Sequence, residues 1–127
     1  MSCEVSTIKT DRAFPLNWEI RRNDSIDTYI TMLINGSPYD FTNYDVATMQ
    51  VKTDTETDTI IFTASIANSK LTLGTTDGII TFDFSSEDMN LEPNTYIYDL
   101  EIYSTALDRR ETILKGKFIV NPDVTRL

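Results

Sequence analysis

In run after run of this chain, apolar residues recur at every second position. Leu16, Trp18 and Ile20 alternate with Asn17, Glu19 and Arg21, and Ala47, Met49 and Val51 alternate with Thr48, Gln50 and Lys52. Ile80, Phe82 and Phe84 repeat the pattern, as do Tyr96, Tyr98, Leu100 and Ile102, and then Leu114, Phe118 and Val120 with Gly116 among them. A period of two is the strand repeat, because successive side chains point to opposite faces of a sheet. Turn signals separate the runs: Asn23-Asp24, Asn35-Gly36, Asp77-Gly78 and Pro93-Asn94. Asn35-Gly36 is the strongest of them, since both residues tolerate positive φ. The expected fold is an all-β, antiparallel, immunoglobulin-like β-sandwich of seven to nine short strands. At most one helical turn is expected, in SSEDMNL (85–91), where Ser85 and Asp88 have capping-box spacing.

One domain accounts for the length of 127 residues. It is expected to span 14–127, with residues 1–13 forming an N-terminal arm or an edge strand that can add to a neighbour's sheet. The run SIDTYITMLI (25–34) is expected to place Ile26, Ile30, Met32 and Ile34 on one face and Tyr29 and Leu33 on the other. Pro38 cannot donate to a ladder, so PYDFT reads as a kinked connection. STALDRRE (104–111) reads as a charged hairpin tip, and Gly116 as a bulge or a point of close packing. The predicted core comprises Trp18, Ile30, Met32, Met49, Val51, Phe82, Phe84, Tyr98, Leu100, Phe118 and Val120.

The side chains offer little for catalysis. With no histidine and a single cysteine, Cys3, the chain has no nucleophile–histidine pair, histidine metal site or intrachain disulfide. Twenty acidic against eleven basic residues give a net charge of −9, which disfavours phosphate backbones and anionic lipid. Neither a nucleic-acid partner nor a membrane is expected. No apolar run has the length of a signal peptide or a membrane span, so synthesis in the cytoplasm is expected. Asp54, Glu56 and Asp58 alternate like calcium ligands, but the glycine and distal glutamate of an EF-hand loop are missing. Asp99 with Glu87 or Asp88 would need a cleft to act as paired acids, and the sequence shows none. No catalytic residue, metal or cofactor is therefore predicted.

Contact residues are better candidates. Tyr96 and Tyr98 share an apolar stripe and read as core, one of them with its hydroxyl tying down the preceding connection as in a tyrosine corner. Tyr29 and Tyr103 lie opposite the apolar stripes of their strands and are candidate contact residues. Arg109 and Arg110 form a basic island in an acidic chain, either simply solvated or docking on a neighbouring subunit.

The order of short motifs adds a resemblance. R-x-D-S (Arg22–Ser25) is followed by G-x-P-x-D-F-T (Gly36–Thr42), M-x-V-K (Met49–Lys52) and D-G-I-x-T-F (Asp77–Phe82). Then come S-x-E-D (Ser85–Asp88), Y-x-Y-D-L (Tyr96–Leu100), L-x-G-x-F-x-V (Leu114–Val120) and P-D-V-T-R (Pro122–Arg126). From about residue 14 to 126 this resembles a group of small phage and prophage proteins. It is similar to the immunoglobulin-like N-terminal domain of tailed-phage upper baseplate proteins, which anchors a fibre or receptor-binding device. The resemblance implies a non-enzymatic structural subunit of a bacteriophage particle, in the tail, baseplate or head-associated. Such a subunit packs on other virion proteins and on copies of itself, and resides in the virion after synthesis in the host bacterial cytoplasm. A baseplate protein of this kind continues into a shaft, so a stand-alone subunit or a truncated piece is expected. The alternative is a carbohydrate-binding or adhesive β-sandwich module using tyrosines on one sheet.

Overall fold

The computed structural model describes residues 13–54 and 59–125. Residues 1–12 of the expected arm, with Cys3, lie outside the described residues, as do Glu56, Asp58 and Arg126. The alternating runs form β1 (Phe14–Pro15), β2 (Trp18–Arg21), β3 (Ile26–Thr31), β4 (Leu33–Ile34), β5 (Ser37–Pro38) and β6 (Val46–Lys52). They continue as β7 (Ile60–Ser65), β8 (Leu71–Leu73), β9 (Ile79–Phe84), β10 (Asn94–Ser104) and β11 (Arg109–Asn121). The larger sheet runs β1-β11-β10-β6-β7, with β2 also paired to β11; the smaller runs β3-β9-β8; and β4 pairs with β5. The fold is all-β and sandwich-like, as the alternation predicts.

Two features of the strand arrangement depart from expectation. The described residues form eleven strands rather than seven to nine, because β1, β4 and β5 are two-residue pieces that no periodicity can signal. The larger sheet is mixed rather than antiparallel, since β1 and β2 both run parallel to β11. Pro15 ends β1, and Leu16 N–H bonds to the Lys115 carbonyl at 2.9 Å before the chain resumes pairing as β2. Gly116 lies opposite this step. A Cβ there would stand 2.4 Å from the Leu16 carbonyl oxygen, so the glycine marks close packing. The bulge lies elsewhere: Leu100 pairs with Leu114 but Glu101 with Thr112, which makes Ile113 the extra residue.

Apolar inner faces join the sheets. Phe82 and Phe84 of β9 meet Trp18 of β2 and Phe62 of β7 edge-on, each pair with ring centroids 4.9 Å apart. Met32, Met49, Val51, Phe82, Phe84, Tyr98, Leu100, Phe118 and Val120 are buried as predicted, while Trp18 and Ile30 are only partly buried against them. Both ends are sealed by residues outside the alternating runs, Phe41 and Met89. Met89 sits in the helical turn, whose capping box forms: Ser85 N–H donates to Asp88 Oδ2 at 2.9 Å, and Asp88 N–H to Ser85 Oγ at 3.1 Å.

The run 25–34 is not one strand. It breaks at Met32, whose N–H bonds to the Gly78 carbonyl and whose carbonyl takes the Tyr39 N–H. Beyond the break Ile34 faces outward with Leu33, contrary to the predicted inward position. β3 is an edge of the smaller sheet, which leaves Ile26 and Ile30 half-buried and Thr28 exposed.

Candidate contact surface at the hairpin end

The stretch from Asn35 to Asp45 builds one end of the sandwich. Asn35 and Gly36 both have positive φ (52° and 80°), the backbone of a two-residue hairpin turn with right-handed twist. Pro38 stops the pairing after two residues. Asp40 then turns the chain, accepting the Thr42 N–H at 2.9 Å and the Thr42 hydroxyl. Those bonds hold its carboxyl below the usual carboxylate range. Phe41 drops into the core as its N–H bonds to the Thr75 carbonyl at 2.7 Å.

Two tyrosines flank Phe41 and converge on one carboxylate. The Tyr39 hydroxyl donates to Glu111 Oε2, and the Tyr44 hydroxyl donates to the same oxygen at 2.8 Å. The bulge at Ile113 directs Glu111 to this side: it pairs with the core-facing Ile102, whereas without the extra residue the alternation of β11 would turn it outward. Burial first, and the Glu111 carboxylate second, push the Tyr39 phenol far above its ordinary value. Burial also raises Tyr44. Opposite this brace, the β10–β11 turn is fixed by Asp45, which accepts the Thr105 N–H at 2.8 Å and the Thr105 hydroxyl at 2.7 Å. The crossover and the turn are thereby clamped together.

Apolar groups stand on this clamped end. Ile34 is 44% exposed and Leu107 55% exposed, and Pro38 is exposed between them. With Tyr39, Tyr44 and Arg109 they line an open hollow of about 340 Å³. Leu33, next to Ile34, is 48% exposed. Large apolar side chains held on a braced framework are what a protein contact surface offers.

The four predicted contact residues separate into three places. Arg109 lines the hollow at the hairpin end. Tyr103 and Arg110 are cross-strand partners on the outer face of the larger sheet, with the guanidinium 5.4 Å from the ring centroid. Arg110 also pairs with Glu101 at 3.0 Å, and the Tyr103 hydroxyl bonds to Asp108 at 2.9 Å. Tyr29, 62% exposed, lies on the outer face of the smaller sheet, on the opposite side of the sandwich.

The remaining candidates fall apart as chemistry. Asp99 lines the outer face of the larger sheet, whereas Asp88 is committed to its capping box and to Lys70 at 2.7 Å. Among the described residues no group of three or more His, Cys, Asp or Glu stands together as metal ligands. No helix among them is long and apolar enough to cross a membrane. The Tyr96 hydroxyl donates to the Glu92 carbonyl at 2.6 Å, and that of Tyr98 to the Leu16 carbonyl. Sequence reasoning missed Glu111, Tyr44 and Leu107. The five-residue spacing of Tyr39 and Tyr44 around Phe41 was the available signal.

The far end gathers three of the short motifs. Arg22 Nε donates to Asn90 at 3.0 Å, Asn23 Nδ2 to Asp123 at 3.2 Å, and the Ser86 hydroxyl to the Asn23 carbonyl at 2.6 Å. A groove of about 670 Å³ lies among them. Compared with known proteins, the chain matches no family model and no curated protein.

Proposed function

We propose that this chain is a non-enzymatic structural subunit of a bacteriophage particle, built as an immunoglobulin-like sandwich and placed in the tail, the baseplate or on the head. It acts by packing on other virion proteins and on its own copies. It is made in the host bacterial cytoplasm and resides in the virion. The observation that carries this reading is the hairpin end, where Ile34, Pro38 and Leu107 stand exposed on a framework braced by Tyr39, Tyr44 and Glu111. A tile that is held by neighbours needs a stiff apolar contact. The segment that builds it is the G-x-P-x-D-F-T motif on which the resemblance to upper baseplate domains partly rests.

Strand order supports the immunoglobulin-like assignment. In such sandwiches G-F-C-C′ packs on B-E-D, and β11-β10-β6-β7 over β3-β9-β8 follows that order. β2, parallel to β11, takes the place of the first strand. Tyr96 at the start of β10 makes the tyrosine-corner bond to Glu92. The tryptophan lies on β2 and not, as in antibody domains, on the strand that β6 corresponds to, whose buried positions hold Ala47, Met49 and Val51.

The carbohydrate-binding alternative needs an open aromatic face. Arg110 covers that of Tyr103, which leaves Tyr29 as the platform. The test is particle assembly from the genomic region that encodes the chain, with Ile34→Glu and Leu107→Glu combined. The expected result is a variant with parental circular dichroism and melting temperature that is missing from purified particles. A variant incorporated like the parent, or a parent absent from particles, overturns the reading. Glycan binding lost in Tyr29→Ala would transfer it to the alternative.

A further inference from the structure

Among the described residues β7 ends one side of the larger sheet, and its pairing with β6 defines which of its groups face outward. Ile66 N–H bonds to the Ala47 carbonyl at 3.1 Å, and the register continues as Ala64 on Met49 and Phe62 on Val51. In an antiparallel ladder bonded and non-bonded pairs alternate. Residues 62, 64 and 66 therefore bond to β6, and residues 63 and 65 present their N–H and C=O groups to the outside; before them the register shifts, Val51 pairing with Phe62 but Lys52 with Ile60, which makes Ile61 a bulge.

Such an edge invites another strand unless it is blocked. The stretch Thr59–Ile66 carries no charge and no proline, and five of its residues, Thr59, Ile60, Ile61, Thr63 and Ile66, are β-branched. The other edges of the two larger sheets carry their own obstacles: Pro15 in β1, the charged Glu19 and Arg21 in β2, Asp27 in β3, and a length of three residues in β8. On β7 the bulge at Ile61 confines the regular edge to the residues after it, and there the obstacle is a single side chain. Asn68 Oδ1 accepts the Ser65 N–H at 2.9 Å, and Asn68 Nδ2 donates to the Thr63 carbonyl at 3.0 Å. Both are edge-facing groups. The carboxamide stands where a further strand's peptide would stand, and it is pinned there by the Lys70 N–H on Oδ1 at 3.1 Å.

We propose that Asn68 is a strand-mimicking plug, and that the β7 edge it closes is a docking site for β7 of a second copy. Three observations favour that occupant. Each chain carries a net charge of −9, and the edge is a neutral stretch along which two acidic copies can approach. An antiparallel twofold centred on Thr63 sets Phe62 against Ala64 of the other copy, large against small, within the regular part of the strand. The acidic run TDTETD precedes β7, and antiparallel pairing sends the two runs to opposite ends of the seam, where parallel pairing would stack them. The β7 edge is a different surface from the hairpin-end contact proposed above.

The test compares the parent with Asn68→Ala by light scattering over a concentration series. The parent stays at 14.5 kDa. The variant doubles its mass, and Thr63→Lys added to it restores the monomer, because that side chain stands on the edge's outer face. Hydrogen exchange supplies a second readout that needs no variant: the Ser65 amide of the parent is protected although it lies on an edge. A folded Asn68→Ala that stays monomeric, a dimer indifferent to Thr63→Lys, or a parent Ser65 amide exchanging at the unprotected rate each overturns the proposal.

Discussion

Trp18 touches Phe82, Phe84 and Phe118, yet its buried indole nitrogen makes no hydrogen bond of normal geometry, although it approaches the Tyr98 hydroxyl closely enough to offset part of the rise that burial gives that phenol's pKa. The ring contacts and the poorly bonded donor pull in opposite directions. An unpaired buried N–H costs about 1–3 kcal/mol, on the order of what the lost ring area would cost in a change to phenylalanine. Trp18→Phe should therefore alter stability by no more than about 1 kcal/mol in urea denaturation. Phe82 has no such offset. It is fully buried and edge-on to Trp18, so Phe82→Ala should remove about 3–5 kcal/mol. A loss of a few tenths would mean that Phe82 does not hold the two sheets together. Both residues were legible in the sequence as members of an inward stripe, but the missing hydrogen bond of Trp18 depends on its tertiary surroundings.

Among the elements, the crossover between β5 and β6 carries more than its irregular backbone suggests. Two phenols share one carboxylate there, and hydrogen bonds to a charged group are worth about 1.5–3 kcal/mol. Glu111→Ala should lower stability by roughly that amount, while Glu111→Gln, which keeps an acceptor, should lose less. Equal stability of all three proteins in urea would show that the brace contributes nothing. The sequence exposed the long strands and their faces because alternation is a local signal. It announced the turn at Asn35-Gly36 and the capping box at Ser85 for the same reason: the residues that make them are neighbours in the chain. The brace was hidden, since Glu111 lies 72 residues from Tyr39 and reaches it only through a bulge at Ile113. Nor could period two announce β4 and β5, or show that Met32 leaves β3 to bond with Gly78 and Tyr39.

For the molecule as a whole, the ionisable groups set an asymmetric stability window. Tyr39, Tyr44, Tyr96 and Tyr98 all have raised pKa values, with burial the largest cause for each, and Tyr98 is pushed up to about 12. A phenol whose folded value is raised stabilises the fold fully below its unfolded value of about 10, and that contribution drains away as pH rises from there. Asp40, Asp45 and Asp88 are lowered. For Asp88, burial works against the shift, but Lys70 and Ser85 outweigh it. Their contribution is present above the ordinary carboxylate value of about 4 and is lost as pH falls through and below it. The net charge of −9 grows more negative in alkali, so self-repulsion adds to the tyrosine effect on that side and fades in mild acid. The melting temperature should be flat from about pH 5 to 9, fall above about pH 10, and fall less steeply on the acid side until below about pH 4. Tyrosinate absorbance provides the check on cause. If the four phenols are held neutral by the fold, part of their signal should appear in one cooperative step coincident with loss of the β-sheet circular dichroism. A smooth titration of all six tyrosines near pH 10, with the sheet still intact, would remove the alkaline half of this account.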